Sequence, residues 1–207
     1  MRRARDVLGA AVGLLFLAPL FVLVGVAIRL DSPGPVFFRQ TRVGLHGRHF
    51  RITKFRSMRV DEAGPSVSTA VDPRITRVGR ILRRTKVDEL PQLVDVLRGD
   101  MSLVGPRPEV PHYVAHWPAD LRPIILSVRP GITDPATVYL RSEADILAHS
   151  PDPERTYVEE FLPLKAQAYV IYVHTRSFMG DLRTVLATLR AIVLPASSAQ
   201  LSPDLEN

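Results

Sequence analysis

The chain has no cysteine, which excludes a disulfide framework, a thiolate nucleophile and any cysteine-held zinc site. Any metal must be held by oxygen or histidine, and a hard cation such as Mg2+ suits the aspartates and glutamates that remain. His112 and His116 stand four residues apart but lack the HExxH context of a zinc-binding helix, so no zinc is expected there. Aromatic residues are sparse, at 7%. The short run in which Phe interleaves with Arg and Lys, from Phe37 to Phe55, offers too few for a base-stacking platform, so no nucleic acid partner is expected. Charge is missing altogether between Val7 and Ile28. With 207 residues the chain holds one catalytic unit plus an appended segment, not two full enzymatic domains.

What is abundant is positive charge. A net charge of +6 and a pI near 10.1 point to an anionic partner: nucleic acid, a phosphorylated substrate or an acidic membrane surface. The charge-free stretch VLGAAVGLLFLAPLFVLVGVAI would be about 33 Å long as a straight helix, against about 30 Å for a bilayer core. Its flanks argue against simple spanning, because Arg2, Arg3 and Arg5 precede it, Arg29, Arg39 and Arg42 follow it, and positive charge favours the cytoplasmic side. Pro19, near the middle, removes one helical hydrogen bond. The expectation is a re-entrant, membrane-anchoring helical hairpin over residues 1–30, broken at Pro19. A kinked single span is one alternative. A cleaved signal peptide is another, opposed by an apolar region longer than the usual roughly 7–15 residues.

DSPGP at Asp31–Pro35 marks the start of a soluble part expected to run over residues 31–194. VFFRQTRVGLHGRHFRITKFRSM alternates apolar and charged residues around Gly44 and Gly47, as a β hairpin does. Period two places Lys54 and Arg56 on one side, suited to gripping a diphosphate. Residues 61–72 are small and polar and read as a mobile loop. PRITRVGRILRRTKVDE then places Ile75, Val78, Ile81 and Leu82 on one helical face with arginines around it, a basic amphipathic helix suited to an anionic membrane surface. That helix delivers Asp88 and Glu89 to the start of a short helix, Pro91 to Arg98, stopped by Gly99. Taken alone, such an acidic pair is most often a capping feature; a helix N-terminus also suits phosphate chemistry. Two further helices are expected, Glu159 to Arg176 and Phe178 to Leu194, around Met179-Gly180. In the second, Leu182, Val185, Leu186, Leu189, Ile192 and Val193 form an apolar stripe for core packing or membrane docking. Such faces could bury against lipid or against a second copy in a homo-oligomer. A disordered tail is expected over 195–207.

Four ordered motifs carry a resemblance: KFRSM (Lys54–Met58), RRTKVDELPQL (Arg83–Leu93), GDMSLVGPRPE (Gly99–Glu109) and RPGIT (Arg129–Thr133). They resemble the bacterial sugar transferases, the small monotopic phosphoglycosyl transferases that make polyprenyl-diphosphate-linked sugars. The resemblance covers nearly the whole chain. It implies an α-rich fold with a minor β hairpin, a re-entrant membrane helix, and interfacial amphipathic helices around a small catalytic domain. It also implies transfer of a sugar-1-phosphate from a nucleotide sugar, usually a UDP sugar, to polyprenyl phosphate with release of a nucleoside monophosphate. The setting would be the cytosolic face of the bacterial inner membrane, in the first membrane step of glycan assembly.

By position, the resemblance makes Asp88 the nucleophile of a covalent aspartyl-phosphosugar intermediate and Glu89 its partner in binding Mg2+ or assisting the acceptor. Lys54, Arg56, Arg83, Arg107, Arg129 and Arg141 would bind substrate phosphate. Arg107 stands between Pro106 and Pro108, whose rings restrict its backbone. Asp100 and Glu109 would orient these arginines or bind metal. The chain departs from the family pattern at Ala18, where Ser commonly precedes the proline. It departs again after RPGIT, where ITDPATVYLRSEADIL replaces a Gly- and Gln-containing stretch that bears on the sugar or nucleotide pocket. The competing functions are a non-catalytic membrane adaptor and a metal-dependent phosphohydrolase using the same acidic pair.

Overall fold

A computed structural model describes residues 2–59, 72–134, 136, 140 and 143–193. The loop expected over 61–72 lies almost wholly outside these residues, as do Arg141 and the tail. The longest element, α1 (Arg2–Asp31), is one helix of 30 residues, about 45 Å long, and it runs through Pro19 without a break. The reversal expected at Pro19 is therefore not seen. Proline costs this helix one hydrogen bond, while Leu17 on one side and Leu20 and Phe21 on the other pack onto the same globular body. Arg3, Asp6, Ala10, Leu14, Leu17, Phe21, Val24 and Ile28, three or four residues apart, form the stripe that meets that body. The opposite stripe is bare: Leu15, Phe16, Val22, Leu23 and Leu30 are each at least 67% exposed. By length and composition α1 is long and apolar enough to cross a membrane. Both its ends nevertheless stay with the same body, Arg3 donating to Val96 O at 2.6 Å and Asp31 accepting from Val78 N at 3.1 Å.

Strands β1 (Phe37–Val43) and β2 (His49–Phe55) form the expected antiparallel hairpin, with Phe37 opposite Phe55 and Phe38 opposite Lys54. Helix α2 (Arg77–Arg84) is shorter than expected, because Thr76 caps it by accepting from Gly79 N at 2.9 Å and Ile75 is drawn into a bridge with Met58. Its Ile81 is 64% exposed whereas Leu82 is buried. A 3-10 turn, Val87–Glu89, leads into α3 (Gln92–Arg98), which stops where expected at Gly99, φ 97.

Beyond α3, the short β3 (Ser102–Val104) pairs in parallel with β4 (Gly131–Thr133). Between them lie α4 (Pro111–Ala115) and α5 (Arg122–Ile125). The C-terminal third contributes α6 (Glu143–His149), α7 (Pro153–Thr156), a π-helical turn (Tyr157–Phe161), α8 (Leu162–Thr175) and α9 (Phe178–Val193). The break before α9 falls at Arg176–Ser177, between the two expected helices, and the Ser177 hydroxyl accepts from Gly180 N to start the second.

Three apolar clusters form among the described residues. One joins α1, β2 and α3 through Ala10, Ile52, Leu93 and Val96; a second joins α1, β2 and α2 through Val24, Ile28, Phe55 and Leu82. The third packs Trp117, Ile125, Phe161, Leu162 and Tyr169 in the C-terminal part. Gly79 sets how closely α2 approaches the chain after β2: a Cβ there would lie 2.0 Å from the Ser57 carbonyl oxygen. Because the obstacle is backbone, Gly79→Ala is expected to destabilise the fold by about 2 kcal/mol or more, read as a lower thermal unfolding midpoint in detergent or nanodiscs.

Candidate active site

The acidic pair is held from three sides. From the α2 end, Lys86 takes a left-handed backbone conformation, φ 57, which strains a non-glycine residue by about 1–2 kcal/mol and turns the chain into the Val87–Glu89 turn. Val87 packs against the cluster around Phe55 and Leu82, while Asp88 and Glu89 are both 8% exposed. From β2, Lys54 Nζ donates to Glu89 Oε1 at 2.8 Å. From the Pro-Arg-Pro segment, the Arg107 guanidinium forks across the same carboxylate, with Nη1 donating to Oε2 at 3.2 Å and Nη2 to Oε1. Glu89 is thus neutralised twice. Asp88 is not: its buried Oδ1 has no hydrogen-bond partner among the described residues.

The two carboxylates are driven apart electrostatically. Burial alone would raise Glu89, but Arg107 and Lys54 override it and hold the group well below the usual carboxylate range. Asp88 is pushed up, first by burial and then by the Glu89 charge, with Lys54, Lys86 and Arg83 acting in the opposite sense. Burial also lowers Lys54, despite its pairing with Glu89. A buried carboxylate with a free oxygen, beside a cluster of cations and a second carboxylate that stays ionised, can attack an electrophilic phosphorus.

Of the residues expected to act, Lys54, Asp88, Glu89 and Arg107 come together, and the Arg83 charge reaches Asp88. Arg56 does not join them. β2 ends at Phe55, and the Arg56 guanidinium donates instead to the carbonyls of Ile28 (3.3 Å), Ser32 (2.7 Å) and Pro33, closing the C-terminal end of α1. Arg129 also lies elsewhere, donating from Nε to Gly99 O at 2.8 Å, past the opposite end of α3. Asp100 is exposed at that end, and Glu109 is buried between the Tyr157 hydroxyl at 2.7 Å and Arg42 at 3.4 Å.

Sequence reasoning missed Asp95, which is fully buried and accepts from Thr53 N at 2.8 Å and the Thr53 hydroxyl at 3.1 Å, fixing β2 on α3 one residue from Lys54. Its signal was an acid among the apolar positions of LPQLVDVL. Gln92 was also missed; it is buried one turn after Asp88, and its side-chain nitrogen has no partner among the described residues.

Mg2+ can be tested against these groups. Among the described residues no three Asp, Glu or His side chains converge, so the protein offers no complete cage. The free Asp88 oxygen beside Glu89 does fit a cation that takes its other ligands from substrate phosphates, as Mg2+ commonly does.

The shifts carry opposite consequences for stability. Glu89, lowered in the fold, stabilises it above the unfolded carboxylate pKa, and this is lost as pH falls through the folded value. Asp88, raised in the fold, favours folding when protonated and costs stability once pH rises above its unfolded pKa. At neutral pH, Glu89→Gln is therefore expected to lower stability by about 3 kcal/mol by stranding two partly buried cations, while Asp88→Asn keeps or raises the unfolding midpoint. Differential scanning calorimetry of the two variants checks the contrast.

The family described as bacterial sugar transferase matches residues 1–195. The chain is 41% identical over 206 residues to the UDP-glucose:undecaprenyl-phosphate glucose-1-phosphate transferase of Caulobacter vibrioides, covering 93% of this chain and 69% of that protein. It is 46% identical over 156 residues to the Escherichia coli protein of the same description, covering 71% of this chain and 33% of that one. With the UDP-N-acetylgalactosamine-undecaprenyl-phosphate N-acetylgalactosaminephosphotransferase of Aeromonas hydrophila it shares 36% identity over 198 residues, 93% of this chain and 44% of that protein. The chain thus spans a third to under a half of the latter two. With its four ordered motifs and a match over nearly its whole length, it belongs to the bacterial sugar transferase family.

Proposed function

We propose that this protein transfers a sugar-1-phosphate from a nucleotide sugar, a UDP sugar as in the relatives' names, to polyprenyl phosphate. The observation that carries the reading is the buried Asp88 oxygen left without a partner beside a Glu89 that two cations keep ionised. In the first step an Asp88 carboxylate oxygen bonds to the sugar-bearing phosphorus. The bond from that phosphorus to the bridging oxygen breaks, and the nucleoside monophosphate leaves with the electron pair. In the second, a phosphate oxygen of the lipid attacks the phosphorus of the aspartyl-phosphosugar, the bond from that phosphorus to the Asp88 oxygen breaks, and polyprenyl-diphosphate-linked sugar forms as the Asp88 carboxylate is freed. Lys54, Arg83 and Arg107 face the growing negative charge. Mg2+, held by Asp88 and Glu89 with the substrate phosphates, would offset charge on the donor diphosphate.

The same reading assigns α1 to one leaflet. Its bare apolar stripe faces lipid while its other stripe stays on the catalytic body, which supports a placement with both ends on one side rather than a spanning one, on the cytosolic face of the inner membrane. Exposed Ile81, Leu182 and Leu186 offer further contact at that surface.

Purified protein given a labelled nucleotide sugar and polyprenyl phosphate is expected to yield a lipid-linked product. Release of free sugar phosphate would favour a hydrolase, and no turnover a membrane adaptor. Asp88→Asn is expected to lose the covalent phosphosugar adduct seen by intact-protein mass spectrometry while keeping a folded thermal transition. An adduct persisting in that variant overturns the assignment of Asp88.

A further inference from the structure

The three arginines at the start of α1 look alike as membrane-flanking charges, yet each meets something different. Arg2 pairs with Asp181 of α9 at 3.0 Å, and Arg5 lies over the Phe178 ring at 4.6 Å. Arg3 reaches the catalytic helix: Nη1 donates to Val96 O at 2.6 Å and Nη2 to Leu97 O at 3.1 Å. These carbonyls belong to the last turn of α3, where Val96 O also accepts from Gly99 N at 3.1 Å and the negative end of the dipole favours a cation. One turn on, Asp6 accepts from the Ser102 hydroxyl at 2.8 Å and from Leu103 N at 3.2 Å, fixing the strand that follows α3.

We propose that Arg3 is a positioning residue for catalysis: with Asp6 it latches the apolar anchor helix onto the C-terminal end of α3, whose N-terminal end follows directly on the turn that carries Asp88 and Glu89. The inference rests on the transferase reading above. α3 has seven residues and is about 10 Å long. It is gripped at one end by Arg3 and near the other by the hold of Lys54 and Arg107 on Glu89. With so short a lever, a shift at the Arg3 end moves the attacking carboxylate relative to those cations. Membrane seating of α1 thereby reaches the alignment of the nucleophile, and α1 is part of the active-site scaffold as well as an anchor.

The test uses the full chain in nanodiscs, comparing wild type with Arg3→Gln, Arg3→Lys and Arg2→Gln in steady-state transfer, membrane-bound fraction and amide hydrogen exchange. Arg3→Gln is expected to lower kcat about tenfold, with donor KM within about twofold and membrane-bound fraction unchanged. Exchange should be faster at residues 97–99. Arg3→Lys should recover part of the loss, and Arg2→Gln should stay near wild type. Equal losses in Arg2→Gln and Arg3→Gln, or a loss explained by a smaller membrane-bound fraction, overturn the proposal in favour of a plain charge effect. If Arg3→Gln does not accumulate as folded protein, Ser102→Ala is expected to show a smaller kcat loss of the same kind, and unchanged kcat there overturns it too. Exchange separates the two readings. Faster exchange in Arg3→Gln without turnover by wild type counts against the transferase reading alone, and unchanged exchange with active wild type counts against the latch alone.

Discussion

The grip of Lys54 and Arg107 on Glu89 is the interaction on which the rest depends. Two adjacent carboxylates in a largely buried turn repel each other and lose hydration, which pushes the pKa of each upward. The two cations settle the matter for Glu89 alone, and Asp88 keeps a free oxygen next to it. The strands, turns and prolines around the site all serve that arrangement. The hairpin carries Lys54, Asp95 fixes the hairpin on α3, the prolines flanking Arg107 limit its backbone, and the strained Lys86 turns the acidic pair inward.

Through its ends, α1 extends this arrangement to the membrane. The helix and the catalytic body cap one another: Arg56 closes the C-terminal end of α1, Asp31 accepts from the first turn of α2, and Arg3 closes α3. Held in this way along one stripe, the helix has both ends on the same body. Its other stripe is apolar and exposed.

Much of this was legible in the sequence, for reasons that differ by element. The β hairpin was marked by period-two alternation between glycines and α3 by Pro91 and Gly99, so local chemistry sufficed for both. Asp88, Glu89, Lys54 and Arg107 were found from motifs, and the structure brings these four together. Arg56 and Arg129 meet backbone carbonyls in the structure, and an arginine within a motif looks the same whether it meets a phosphate or a carbonyl. Only tertiary contacts reveal the carbonyls of Ile28, Ser32 and Gly99. Pro19 misled for a related reason. Proline weakens a helix locally, but apolar contacts on both sides of it hold α1 against the body as one continuous helix. Asp95 and Arg3 escaped notice because their partners lie 42 and 93 residues away along the chain.

The measurement that bears most directly on Asp88 as a nucleophile is rapid-quench stoichiometry of nucleoside monophosphate release from a UDP sugar with no lipid acceptor present. A free Asp88 oxygen poised beside a locked Glu89 predicts a burst of about one equivalent per active site that then stops and resumes when polyprenyl phosphate is added. No release until the lipid is supplied would mean direct transfer between substrates and would contradict the account.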